Sequence, residues 1–442
     1  MSRSSAGLGS VDPRDDAATD SLLSAALDLV VREGLPGLTL RPLAKQLGVS
    51  PSYVTGRFGA KAEILHHIVG AARQRSAQQT KLWTERLAPI DRFNLEQSSD
   101  VCEAILDDIV FNWGPLFTLY LELLQACAWD DVLLRSFGGW LKDQSLFWLQ
   151  MGAKFGAPEA VLASGLFHGY IIDELAYSLC LGRAPAYRLM RKLSLSRFLS
   201  GFMTPTDSEA SGKLFFQLFA ELDYDISELR VVHGAAISQD WPGRVVQAAA
   251  RLVTTKGVSA VTHRAVAALA DVKPTTLAYR FATQEDLVVG GLEYIIARLL
   301  TRIDDTSCAP SEADEPNPGF EIGRATFAVA LAAARMDRLK PCAADMRRRR
   351  GINLVKLVDR HFPQGEGLDA ASAQALSSGL TGLLMTPMPP GETDTDRVTT
   401  ALKAAVAWAK DRRLAEANSN PPNPRDISYK RFPVDRRDAQ SG

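Results

Sequence analysis

Apolar residues recur at three- and four-residue spacing through most of the chain, the period of helices that bury one face. Leu22, Ala25, Ala26, Leu29 and Val30 form the first such stripe. Asp20 or Ser21 stands where a side-chain oxygen can accept the unpaired N–H groups of a first helical turn. Glu33-Gly34 closes that helix, because glycine tolerates the left-handed backbone of a helix end. Leu35-Pro36-Gly37 makes a loop, and Thr39 is placed to cap a second helix that buries Leu40, Leu43, Ala44 and Leu47. Gly48-Val49-Ser50 is the next turn. Ser50 or Pro51 opens a third helix, where the missing N–H of proline would go unpaired anyway. A fourth is under way by Leu65. Short helix, glycine turn, short helix is the layout of a helix-turn-helix, and Thr39 to Leu65 contains it.

The same pattern returns from Thr262 to Val288. Gly34 recurs as Gly257, 223 positions on, and that offset holds without a gap. It pairs Ala25 and Ala26 with Ala248 and Ala249, Thr39 with Thr262, and Arg41 with Arg264. It also pairs Ala44 with Ala267, Val49 with Val272, Pro51 with Pro274, Arg57 with Arg280, Phe58 with Phe281 and Glu63 with Asp286. Identity at core, turn and polar positions together marks an internal duplication, which outranks any reading of single elements.

Each copy is followed by more helical pattern. From Glu63 to Met203 the apolar stretches break at Ala88-Pro89, Gly114-Pro115, Gly156-Ala157-Pro158 and Ala184-Pro185. This region is rich in aromatics, including Trp113, Phe117, Tyr120, Trp148 and Tyr170, which suit either a packed core or the wall of an apolar ligand site. His168, Asp173 and Glu174 stand in an otherwise apolar run; they suit the orienting of a ligand, but a surface-facing stripe or a core hydrogen bond is the commoner explanation. Thr204 to Gly212 reads as a linker, and an apolar helical piece follows from Lys213 to Leu222. The region after the second copy is shorter and poor in aromatics. Within it Ser307 to Gly319 reads as an exposed loop, Arg347 to Arg350 as a solvated helix face, and Gly379 to Pro390 as the end of a helix.

Composition narrows the function classes. At 442 residues, 46% apolar and 23% charged, the chain is expected to form two to four domains with proper cores. Its net charge of −1 gives no overall basic field, so any nucleic-acid signal must be local. The five cysteines lack a CxxC pair or ligand spacing, which argues against a zinc site or disulfide framework and suits a reducing cytoplasm. No secretory leader and no apolar run long enough for a membrane span is present. No phosphate loop, metal cluster or nucleophile–base pair stands out, so neither an enzyme nor a cofactor is expected.

Both heads resemble the DNA-binding domain of the TetR family of bacterial transcriptional regulators. In the first copy the matching residues are Thr39, Arg41, Ala44, Leu47-Gly48-Val49-Ser50, Phe58, Lys61 and Glu63. In the second they are Thr262, Arg264, Ala267, Val272, Tyr279, Phe281 and Glu285-Asp286-Leu287. Two positions depart from the family pattern: its recognition-helix Tyr is Thr55 and Ala278 here, and Lys61 becomes Gln284 in the second copy. The resemblance implies that the second short helix of each head enters the major groove. Pro51, Ser52, Tyr53, Thr55 and Arg57 of one, with Pro274, Thr275, Thr276, Tyr279 and Arg280 of the other, would face DNA. Ser50 and Lys273 lead into these helices. Small side chains let a helix sink into the groove, and Arg57 and Arg280 favour guanine. Thr39, Tyr53, Lys61, Thr262 and Tyr279 are better placed for phosphates. Arg41 and Arg264 suit a DNA contact or a salt bridge within the head. From Leu22 to Leu65, and over the equivalent stretch of the second copy, five basic side chains stand against three acidic ones.

The expected architecture is therefore all-α, with two helix-turn-helix heads, each followed by a helical-bundle regulatory domain. The expected domain bounds are an arm at 1–19, a head at 20–66, a bundle at 67–224 and a linker at 225–240. A second head at 241–289, a second bundle at 290–415 and a tail at 416–442 complete the chain. The two halves are expected to pack as an intrachain pseudo-dimer, a monomer with a homodimer as the alternative, on a double-stranded DNA operator of unequal half-sites. The family's effector would be a small apolar or aromatic molecule in the first bundle, near Trp113, Phe117, Tyr120, Trp148, His168, Tyr170 and Asp173. Control by a protein partner, or none, is the alternative.

Overall fold

A computed structural model describes residues 13–127, 130–203, 208–224, 240–304, 318–351, 354, 368–388 and 391–419. These residues form 19 α-helices and no strand. The first half comprises α1 (Pro13–Glu33), α2 (Leu40–Leu47), α3 (Pro51–Phe58), α4 (Lys61–Leu87), α5 (Leu95–Asn112) and α6 (Gly114–Ala126). It continues with α7 (Asp131–Lys154), α8 (Glu159–Ala163), α9 (Leu166–Leu181), α10 (Pro185–Leu199) and α11 (Ser208–Glu221). The second half comprises α12 (Trp241–Lys256), α13 (His263–Ala270), α14 (Pro274–Arg280), α15 (Gln284–Asp304) and α16 (Pro318–Ala333). It ends with α17 (Lys340–Arg348), α18 (Ala370–Met385) and α19 (Asp394–Ser419).

The duplication holds at the level of backbone angles. The 3-10 turn Leu35–Gly37 recurs as Val258–Ala260, preceded by Gly34 (φ 71, ψ 179) and by Gly257 (φ 78, ψ 169). Gly48 ends α2 in the left-handed region at φ 69, and its counterpart Asp271 does the same at φ 54. The inward residues correspond too: Val54 and Leu277 are both fully buried, as are Phe58 and Phe281 to within a few per cent.

Several boundaries differ from expectation. Helix α1 starts at Pro13, so Asp20 and Ser21 lie inside it rather than capping it, and the Ser21 hydroxyl donates to the Ala17 carbonyl at 2.8 Å. Nothing in the Ala-containing stretch before Asp20 breaks a helix. Helix α11 takes in residues 208–212, expected as linker, and α19 runs to Ser419 into the expected tail. The outer part of the arm (1–12), most of the 225–240 linker, the 305–317 loop segment and the tail from 420 lie outside the described residues.

The halves meet along α9 and α18, the most extensive helix contact among the described residues. Helix α9 is buried on all faces, apart from Leu179, as expected of a helix that is apolar all round. Glycines bring the two backbones together: a Cβ on Gly382 would lie 1.9 Å from the Gly169 carbonyl oxygen, and one on Gly169 would lie 2.3 Å from that of Gly379. Only hydrogen fits.

Charge fixes the same interface. The solvated face expected for Arg347 to Arg350 is wrong, since Arg347, Arg348 and Arg350 are all buried. Buried cations need partners, and those partners lie mostly in the other half. Arg347 pairs with Glu174, Arg350 with Asp173 at 2.8 Å, and Arg348 with Asp223 and Asp345. Arg350 also donates to the Tyr177 hydroxyl, and Arg347 to Gln374 on α18. Burial raises the Asp173 carboxyl above its usual range, against the pull of Arg350. A reversed pair, Arg197 on α10 with Asp369 at 2.8 Å, holds the start of α18.

Gly382→Ala is expected to lower unfolding stability by at least about 2 kcal/mol in urea titration, because the clash is with backbone. Gly70→Ala, whose Cβ meets nothing within 4 Å in mid-helix, should instead gain about 0.5–1 kcal/mol. Glu174→Gln, which strands Arg347, is expected to cost about 3–5 kcal/mol in the same measurement.

Candidate nucleic-acid interface

Each head buries one face of its second short helix and exposes the other. In α3, Val54 and Phe58 point inward, while Pro51, Ser52, Tyr53, Gly56 and Arg57 are exposed. In α14, Leu277 points inward, while Pro274, Thr275, Thr276, Ala278, Tyr279 and Arg280 are exposed. Tyr279 is 94% exposed and Tyr53 51%. Large rings left in water on a short, otherwise small-residue surface are what a partner would cover.

Local hydrogen bonds shape the two helices differently. The Ser50 hydroxyl caps α3 by accepting the Tyr53 N–H at 3.2 Å and lies 3.0 Å from the Ser52 hydroxyl. Its counterpart Lys273 stands at the start of α14, exposed, with no side-chain cap. Thr55 is half-buried, and its hydroxyl turns back to the Pro51 and Ser52 carbonyls, both at 3.2 Å, so its donor is not directed outward. Thr262 caps α13 by accepting the Ala265 N–H at 3.2 Å, whereas Thr39, expected to cap α2, makes no such bond and is exposed. Arg41 and Arg264 are exposed and have no ion-pair partner among the described residues, which disfavours the salt-bridge alternative. Lys61 is exposed at the first position of α4.

The matched acids Glu63 and Asp286 explain themselves as caps. Glu63 accepts the Ala60 N–H at 2.7 Å. Asp286 accepts the Thr283 N–H at 2.9 Å while the Thr283 hydroxyl accepts the Asp286 N–H at 3.1 Å, a reciprocal capping box. Burial works the other way, yet these bonds and Arg338 at 2.6 Å hold the Asp286 carboxyl below its usual range.

The family model of bacterial regulatory proteins, tetR family, matches residues 22–68 and again residues 245–289. The chain carries two tetR-family domains in tandem. They make it a DNA-binding transcriptional regulator. No curated protein sequence matches the chain. No helix among the described residues is long and apolar enough to cross a membrane.

The tetR-family heads sit on cavities that sequence did not foresee. One of about 340 Å³ lies under the first head, between Leu38, Leu43, Ile64 and Ile68 above and Ala126 and Leu133 below, with Thr39, Thr55 and Lys61 also lining it. A second, of about 200 Å³, lies between the two heads. A third, of about 480 Å³, separates α7 and α9 from α18 and α19 and includes His168, whose pKa burial pushes down to about 4.

Several of the aromatics expected around an effector pack against other rings. Tyr120 stands 5.2 Å from Phe137 and from Trp140 between ring centroids, and 5.9 Å from Phe117. Trp148 meets Phe167, and Tyr170 meets Phe198 at 5.0 Å. Edge-to-face and tilted ring contacts of this kind stabilise a core. Asp173 is tied to Arg350, and Trp113 is half-buried at the turn between α5 and α6. Of the seven expected residues, only His168 lines any of the three cavities. Sequence reasoning passed over Glu122 and Gln125, although a carboxylate and an amide inside the apolar helix α6 are a signal in themselves.

Thr262→Ala is expected to destabilise the chain by about 1 kcal/mol in chemical denaturation, since it removes a helix cap. Thr39→Ala should leave stability almost unchanged and instead weaken DNA binding evenly across sequences.

Proposed function

We propose that the chain is a ligand-responsive repressor that reads an asymmetric, two-half-site operator with its two unequal heads. The observation that carries the reading is the pair of exposed recognition helices held in one folded chain. Ser52-Tyr53 and a Ser50 cap stand on one, Thr275-Thr276, a bare Lys273 and a fully solvated Tyr279 on the other. Arg57 and Arg280 take the guanine-reading role at the ends of these helices. Tyr53, Tyr279, Thr39, Lys61, Lys273, Arg41, Arg264 and Thr262 set register on phosphates. With both heads in one chain, a single copy fills an operator, and the two half-sites differ because the helices do. The molecule works as a monomer.

Repression is relieved when an effector binds the DNA-incompetent arrangement of the heads more tightly than the competent one. The cavities beside the first head and between the heads support this placement of an effector over one in the aromatic core. The packed rings of the first bundle favour the second reading, a regulator without a small-molecule effector, to the extent that an effector is sought among those rings.

In vitro selection of bound DNA at stated salt is expected to return two dissimilar half-sites, and sizing of the complex one chain of 48.1 kDa per operator. Arg57→Ala should relax one half-site and Arg280→Ala the other, each weakening specific binding by about 5- to 150-fold. Perfect palindromes, two chains per operator, or specificity that survives both changes would sink the proposal.

A further inference from the structure

Each head is touched across the interface by the other half, at the same glycine. Gly34 of the first head abuts Arg335 beyond the end of α16, where a Cβ would lie 2.9 Å from Nη2. Gly257 of the second head abuts Gln125 near the end of α6, where a Cβ would lie 3.0 Å from Nε2. Both glycines have positive φ, 71 and 78. The arrangement is twofold in geometry and unequal in chemistry.

Glu122, one turn before Gln125, ties this region together. Its carboxylate accepts the Leu35 N–H at 3.2 Å and pairs with Arg335, so its charge is already met. Between these contacts runs the cleft of about 200 Å³, with walls from Leu35 and Pro36 of one head and Val258 of the other. Two of its polar groups are unused. The Gln125 Nε2 is buried with no hydrogen-bond partner, and a buried donor left unpaired costs about 1–3 kcal/mol. Lys256 is exposed and has no ion-pair partner among the described residues. A spare N–H donor and a spare cation at the edge of an apolar cleft complement one anionic acceptor on a small apolar body.

We infer that the cleft between the two heads is an effector site for a small organic monocarboxylate. The carboxylate is received by Gln125 Nε2 and Lys256 Nζ, and the apolar body lies on Leu35, Pro36 and Val258. Because the walls are the equivalent turns of the two heads, occupancy depends on head spacing, and spacing in turn depends on occupancy. That consequence for DNA rests on the regulatory reading above, whereas the binding itself does not.

Calorimetric titration of the full-length chain without DNA tests the site, using benzoate, phenylacetate and hexanoate, with benzamide as the neutral counterpart of benzoate. At least one carboxylate is expected to bind one per chain and to lose about tenfold in affinity in Gln125→Leu and in Lys256→Ala. Benzamide should bind at least tenfold more weakly than benzoate and ignore Lys256→Ala. No binding by any of the three acids, or binding indifferent to both substitutions, overturns the inference. Repeating the titration against operator DNA separates the two claims. A chain that binds an acid through these residues yet holds no specific DNA keeps the site and loses the regulatory reading.

Discussion

Everything in the molecule hangs from the place where the α9 and α18 backbones touch. With Gly169 opposite Gly379 and Gly382, the two helices approach as closely as main chains can. This close crossing aligns one half on the other. Asp173 and Glu174 follow Gly169 by one turn along α9, and the crossing brings them against Arg350 and Arg347. A buried ion pair adds little net stability over an apolar pair of the same shape, but a mismatched one is strongly unfavourable. The glycines therefore set the distance, and the charges set which surfaces can meet at that distance.

Those charges are arranged between unlike partners. Carboxylates of the first half at Glu122, Asp173, Glu174 and Asp223 meet arginines of the second, while the pair of Arg197 with Asp369 runs the other way. Two copies of the first half placed face to face would oppose acid with acid, which is a built-in exclusion of the wrong partner. A symmetric dimer has a self-complementary interface. Here the two surfaces have diverged into complements, and the heads have diverged with them, Ser50 against Lys273 and Thr55 against Ala278.

The same interface reaches the heads through α6 and α16. Arg335 and Glu122 join the first head's turn to both halves, and Arg338 with Asp286 joins the start of α15 to the turn beyond α16. Gln125 on α6 and Arg335 beyond α16 each lie against the other half's glycine.

How much of this was legible in the sequence depends on the range of the interaction. The gapless offset of 223 residues determined the two heads, their turns and their buried faces, because helix periodicity, glycine at positive φ and proline at a first turn act over a few residues. The breaks at Gly114-Pro115 and Ala184-Pro185 were readable for the same reason. Local pattern could not tell a cap from a helix interior at Asp20, and it could not tell a bare Thr39 from a capping Thr262. The fates of Arg347, Arg350, Asp173 and Tyr120 are decided by partners far away in the chain. A run of arginines looks solvated until carboxylates from the other half are seen to meet it, and the rings of Phe137 and Trp140 that meet Tyr120 stand on another helix. The tertiary structure alone decided which charges are buried, where the cavities lie and which groups of one half touch the other's head, because each of these depends on groups that only folding brings together.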